Sequence, residues 1–192
     1  MAALNRDMLE KKYSNLSAQE KIDMSYSQIT SIVPTAFNGL TSLQKIDLSN
    51  NQLTSIAPNC FAGLTSLKWI YLFSNQITSI DKSSFEGATN LLTLWIYNNK
   101  IKTIDPAAFN NCKKLKWIWL HNNQLESLDV ATFAGPDKLD EIKMHGNKFK
   151  DDEKLTLVLA PTVKFVSFKS TESNEIASIE RFYFLTNNFI FF

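Results

Sequence analysis

Residues 43–56 read LQKIDLSNNQLTSI, 67–80 read LKWIYLFSNQITSI, and 91–104 read LLTLWIYNNKIKTI. Residues 115–128 read LKWIWLHNNQLESL and 139–152 read LDEIKMHGNKFKDD. The five stretches begin at Leu43, Leu67, Leu91, Leu115 and Leu139, each 24 residues after the last. One step back from Leu43 reaches QEKIDMSYSQITSI at Gln19. One step beyond Leu139 reaches Val163, where VKFVSF keeps only the apolar spacing. Self-similarity at such a fixed period marks a solenoid, in which each copy is one coil that buries its apolar face only against its neighbours.

The residues inside a copy say how the coil runs. Positions one, four and six are apolar, as at Leu67, Ile70 and Leu72, and the alternation from four to six is strand-like. A following pair such as Ile77 and Ile80 turns the chain back across the core. Phe37, Phe61, Phe85, Phe109 and Phe133 recur in register and predict a spine on the far side. Asn51, Asn75, Asn99, Asn123 and Asn147 fill another register. A buried amide needs hydrogen-bond partners, so stacked asparagines predict a ladder to the loop backbone. The first copy has Ser27 at that place, which predicts a looser end coil.

The phrase LxxLxLxxNxLxxI…F resembles the leucine-rich-repeat family, in its typical 24-residue subclass, strongly over 19–150 and weakly over 163–171. The resemblance implies an α/β solenoid: a right-handed coil with a parallel sheet on the concave face and an irregular or helical convex side. The repeats are similar to those of variable lymphocyte receptors, which bind proteins and glycans on that face. Extracellular members usually carry cysteine-rich caps. This chain has two cysteines, Cys60 and Cys112, in different coils, and no such cap, which argues against an extracellular receptor role.

Length and composition fit one domain over 1–192, with an N-terminal cap at 1–18, six repeats over 19–150, and a degenerate seventh repeat and C-terminal cap over 151–192. Residues 3–18 predict a short amphipathic helix that covers the first coil with Met8, Leu9 and Tyr13. Residues 152–160 predict a helix and 163–168 a last strand. Ile176, Ile179, Phe182, Phe184 and Leu185 would close the end. Cys112 stands where other copies have leucine and should be buried; Cys60 should face the convex surface, unpaired. The few cysteines and the absence of a signal-like apolar run point to the cytoplasm, or else to an exported domain whose signal has been removed. In the second case the sequon at Asn15 becomes relevant.

A net charge of +1 without a basic stripe argues against nucleic acid and membrane surfaces as partners. No nucleophile elbow, HExxH, Walker or paired CxxC motif occurs, so neither catalysis nor a cofactor is expected. Function must sit on the strand positions that point away from the core, namely three, five and seven. These are Lys21, Asp23 and Ser25; Lys45, Asp47 and Ser49; Trp69, Tyr71 and Phe73; Thr93, Trp95 and Tyr97; Trp117, Trp119 and His121; Glu141, Lys143 and His145; then Phe165, Ser167 and Lys169. All four tryptophans of the chain fall there. Seven large aromatics on three adjacent strands exceed what sheet stabilisation requires, and tryptophan and tyrosine dominate binding hot spots.

The candidate ligand-binding residues are therefore Trp69, Tyr71, Phe73, Trp95, Tyr97, Trp117, Trp119, His121, Lys143, His145 and Asp47. Charged residues and Asn98 and Asn122 form a polar rim around the aromatic centre. The expected ligand is a protein or peptide, with a glycan as the alternative and self-assembly of a homodimer through the same face as a third reading. His121 and His145, one coil apart, read as solvated rim residues rather than zinc ligands, because only Glu141 and Asn122 stand near them.

Overall fold

A computed structural model describes residues 2–129 and 131–149 in full, and the backbone of three further strands at 155–158, 165–167 and 188–191. In chain order the elements are β1 (Ala2–Leu4), α1 (Arg6–Lys12), β2 (Lys21–Asp23), β3 (Ile29–Ile32), β4 (Lys45–Asp47), β5 (Trp69–Tyr71) and β6 (Ser79–Ile80). Then follow β7 (Thr93–Trp95), β8 (Thr103–Ile104), β9 (Trp117–Trp119), β10 (Glu141–Lys143), β11 (Leu155–Val158), β12 (Phe165–Ser167) and β13 (Asn188–Phe191).

Seven strands form one parallel sheet in the order β2-β4-β5-β7-β9-β10-β12. The register keeps the repeat: Lys21, Lys45, Trp69, Thr93, Trp117, Glu141 and Phe165 pair in sequence across it. The degenerate copy at 163–168 therefore contributes the last strand. Ile22, Ile46, Ile70, Leu94, Ile118 and Ile142 are fully buried on the face turned to the core. Leu43, Leu67, Leu91, Leu115 and Leu139 stack in one fully buried column behind them.

The segment after each strand crosses the core and returns through turns rather than helices. In the first coil, Ala36 N donates to Val33 O and Leu40 N to Phe37 O. The five phenylalanines form a continuous stack, with ring centroids 5.7–6.2 Å apart from Phe37 to Phe133. The asparagine ladder is complete over the middle coils. Asn99 Oδ1 accepts from Ile77 N at 3.0 Å, while its Nδ2 donates to Leu72 O and Ile96 O. Each side chain thus ties one coil to the one before it. At the first coil, Ser27 N donates to Asn51 Oδ1, while the Ser27 Oγ donates to Ser25 O within its own coil.

The N-terminal cap differs in detail from the expected helix over 3–18. Asn5 caps α1 by accepting from Met8 N, so the helix starts at Arg6 and ends at Lys12; a 3₁₀ turn at Leu16–Ala18 follows. The residues before it become β1, paired parallel to β3, which extends the solenoid by half a coil. Leu9 is fully buried, and Met8 and Tyr13 pack against the first coil. Tyr13 Oη also donates to Asp23 O and accepts from Asp23 N, which covers the edge of β2.

Two expectations are corrected. Where a helix was expected over 152–160, Leu155–Val158 is a strand, antiparallel to β13. Its alternating Leu-Thr-Leu-Val suits a pleated surface better than a helix. Cys60 does not face the convex surface. It is buried beside Phe61, and burial pushes its thiol, like that of Cys112, up to about 12. Both cysteines are free. The residues expected to close the far end, Ile176, Ile179, Phe182, Phe184 and Leu185, lie outside the described residues.

Candidate functional site

The open face of the sheet carries three columns of side chains, one per outward strand position. The middle column is Tyr71, Trp95 and Trp119. Tyr71 stacks on Trp95 at 4.2 Å and 8°, and Trp95 on Trp119 at 4.6 Å and 8°. Lys45 Nζ caps one end, 4.3 Å from the Tyr71 ring, and Lys143 Nζ caps the other, 4.0 Å from Trp119. Each lysine also pairs with a carboxylate on its own strand: Lys45 with Asp47 at 3.5 Å and Lys143 with Glu141 at 3.6 Å. Trp119 Nε1 donates to Glu141 as well. The column is a closed sandwich whose ring faces meet each other and whose edges point outward.

The third column runs Phe73, Tyr97, His121 and His145, with centroid spacings of 4.7, 4.4 and 4.6 Å. The first column alternates: Trp69 and Trp117 stand on either side of Thr93, which is only 4% exposed. Parallel strands lie about 4.8 Å apart, so flat rings in successive coils fall naturally at stacking distance. The 24-residue period is what converts a strand position into a ring stack.

All eleven candidate residues thus come together on one face. Three features differ from the reading of the sequence. The rings are not freely exposed additions to the sheet: all but Trp117, which is 38% exposed, are half-buried. Ser49 and Thr93 point outward yet are buried. Ser49 Oγ folds back to donate to Asp47 Oδ1, and the flanking indoles cover Thr93. His121 and His145 are not solvated rim residues but stacked, half-buried members of the third column.

Burial, then the neighbouring His145, then Lys143 hold the His121 imidazole down to about 4; burial and Lys143 lower His145 also. The stack therefore holds neutral rings at neutral pH. A histidine whose folded value lies below its ordinary one charges more readily in the unfolded chain. Stability should fall as pH drops from about 6.5 towards 4. Imidazole proton shifts followed by NMR should place the His121 titration near 4; a titration near 6.5 would show that the ring is not held in the stack. Burial, with the Asp47 carboxylate adding to it, raises Tyr71 and Tyr97, so both phenols stay neutral. Among the described residues no group of His, Cys, Asp and Glu is arranged to hold a metal ion.

At the strand ends the rim is structural as much as polar. Asn50, Ser74, Asn98 and Asn122 all take left-handed backbone, which asparagine tolerates better than most residues. Asn122 Nδ2 donates to Asn98 Oδ1 at 2.9 Å. Gly146 occupies the same place in the next coil, again with left-handed backbone, and Asn122 Oδ1 lies where a Cβ would stand.

The model of the BspA-type leucine-rich repeat region matches residues 30–154 of this sequence, in 6 copies. The chain belongs to the BspA-type leucine-rich-repeat family. Solved structures agree on the fold of this leucine-rich-repeat protein. The crystal structure of a TLR13–ssRNA13 complex aligns with 73% of the chain at 24% identity and a TM-score of 0.69. That of an LRIM1/APL1C complex aligns with 77% at 22% identity and a TM-score of 0.67. The leucine-rich-repeat chain spans only 21% and 26% of the chains it matches there. No curated protein matches the sequence.

Reading only the outward strand positions of the repeat missed a set of lysines one residue earlier. Lys68 and Lys116 precede Trp69 and Trp117, and Lys114 stands in the loop before β9. They sit at the edge of the sheet, and the signal that would have found them is the repeated phrase LKWI at 67–70 and 115–118.

Proposed function

We propose that this leucine-rich-repeat chain is a non-enzymatic binding module that takes a protein or peptide on the aromatic face of its sheet. The observation that carries the reading is the aromatic set itself. Trp69, Tyr71, Phe73, Trp95, Tyr97, Trp117 and Trp119 lie on three consecutive strands, while leucine, isoleucine and phenylalanine already fill the core. Asp47 and Lys143 border the set, and the stacked His121 and His145 continue its third column.

The geometry favours a protein over a glycan. Sugar rings stack on free aromatic faces. In the middle column both faces of Trp95 are taken by Tyr71 and Trp119, and the column's ends are taken by lysines. There only ring edges remain, which suit side-chain packing; in the first column Trp69 and Trp117 stack on no other ring among the described residues. Parallel screens against displayed peptides and a glycan array test the choice, with a Trp95→Ala/Trp119→Ala double variant as control. The expected result is peptide ligands that the double variant loses. Glycan binding lost in the same variant would replace the peptide reading, and dimerisation of the wild type at micromolar concentration that disappears in the variant would make the face a self-association surface.

A further inference from the structure

Four lysines touch the aromatic face, and they fall into two kinds. Lys45 and Lys143 lie close over Tyr71 and Trp119 and are each neutralised by a carboxylate. Lys68 and Lys116 lie 5.7 and 5.6 Å from Trp69 and Trp117. That is near the outer limit of roughly 6 Å for attraction to a ring. Beside Lys68 a groove of about 370 Å³ runs along the N-terminal edge of the strands, lined by Thr65, Ser66, Lys68, Asn90, Leu92 and Lys114 among others. Its lining holds two ammonium groups, hydroxyls and amides, and no carboxylate. Neither Lys68 nor Lys114 has a carboxylate within ion-pairing distance among the described residues.

The groove is also built. Asn90 Nδ2 donates to Thr65 O at 2.7 Å, and Lys114 Nζ donates to Asn90 Oδ1 at 2.6 Å. The Lys114 ammonium is thereby held in place with two of its three N–H donors left over. Lys68 and Lys114 stand in loops two coils apart, a span of about 10 Å. The groove's lining residue Lys68 directly precedes Trp69, the first ring of the first column.

We propose that this groove receives carboxylate side chains of the segment that packs on the aromatic columns, so that the ligand is an acidic, apolar peptide. The inference rests on the binding reading above and adds the ligand's charge to it. A nucleic acid fits less well. Its charge repeats at every nucleotide, whereas the groove supplies two ammonium groups and the same face carries Asp23, Asp47 and Glu141. A peptide can place carboxylates at one edge and apolar side chains over the rest.

Two short probe peptides test this: one alternates glutamate with leucine and phenylalanine, and its twin has glutamine for every glutamate. Binding to the full chain is read by tryptophan fluorescence, since the lining residue Lys68 lies 5.7 Å from the Trp69 ring. The glutamate peptide is expected to bind about tenfold tighter than its twin, as a charged hydrogen bond or two would give. The advantage should shrink as salt rises from about 0.05 M to 1 M. Lys68→Gln/Lys114→Gln should abolish the advantage and leave the glutamine twin's affinity unchanged. Equal affinities for the twins, or an advantage that survives in the double lysine variant, would overturn the inference. So would a short oligothymidylate that binds tighter than the glutamate peptide and is lost in that variant. Trp119→Ala separates the two proposals. If it leaves both affinities unchanged while the glutamate advantage persists, the groove stands and the aromatic-face reading fails.

Discussion

Phe85→Ala is expected to destabilise the fold by about 3–5 kcal/mol, as large-to-small changes at a fully buried aromatic do. Phe85 has no exposed surface and stacks on both neighbours of the spine, Phe61 at 6.1 Å and Phe109 at 5.9 Å. Removing it loses the transfer energy of the ring and leaves a cavity between two turns that their own backbone holds apart. It also removes two ring pairs, each worth about 0.5–1.5 kcal/mol beyond area burial. Among the described residues Phe37 has one such neighbour, Phe61, and Phe133 has one, Phe109. In a solenoid each coil touches only its neighbours, so the end positions should cost less. Denaturant unfolding of the three alanine variants checks this, and a Phe37→Ala variant as destabilised as Phe85→Ala would show that the stack is not the unit of the spine.

Asn99→Ala is expected to cost about 3 kcal/mol, more than most exchanges of one polar side chain. The side chain accepts from Ile77 N and donates to Leu72 O, Ile96 O and Tyr97 O, at 3.0–3.2 Å. Truncation orphans a buried N–H, and each buried group left unpaired costs about 1–3 kcal/mol. Asn99→Asp is a sharper probe. It keeps the acceptor for Ile77 N but turns a carboxylate towards three carbonyl oxygens, and should destabilise at least as much at neutral pH. Equilibrium unfolding that finds either variant within about 0.5 kcal/mol of wild type would contradict the ladder, since that is the range of ordinary surface substitutions.

Much of this fold was legible in the sequence because a repeat states each rule several times. One buried leucine or one asparagine says little. Leu43 to Leu139 and Asn51 to Asn147, at a constant step of 24, state strand, core and ladder together. The ends were less legible because they state nothing twice. Asn5 as a helix cap, Ala2–Leu4 as a strand and Leu155–Val158 as a strand each follow from a single local context. Cys60 was misplaced because it precedes the spine residue Phe61 and was set on the convex surface, whereas both residues are buried. On the open face, the pattern located the rings but not their consequence. Parallel strands set coil-to-coil spacing at the distance where flat groups stack, so rings judged exposed are half-buried and the two histidines join them. The lysine-lined groove went unseen because it lies across the strand ends, where no single copy of the repeat displays it.

Stacking also changes what a mutation on the face should do. Trp95→Ala removes two ring pairs and is expected to cost about 1–3 kcal/mol of stability. Trp117 stacks on no other ring among the described residues and is the most exposed of the seven aromatics, so Trp117→Ala should cost little. Leu94, between them on the buried side, should cost about 2–5 kcal/mol when truncated and spare the surface.

The decisive measurement is the affinity of peptides selected on the wild-type chain, taken in turn for Trp117→Ala, Trp119→Ala and a Leu94→Val control, each confirmed folded by unfolding curves. A hot spot on the aromatic face predicts a loss of about 2 kcal/mol or more for at least one tryptophan variant, roughly thirtyfold in affinity, with little change for Leu94→Val. Selected peptides that bind both folded tryptophan variants as tightly as wild type would place recognition elsewhere and leave the rings as structural stacking alone.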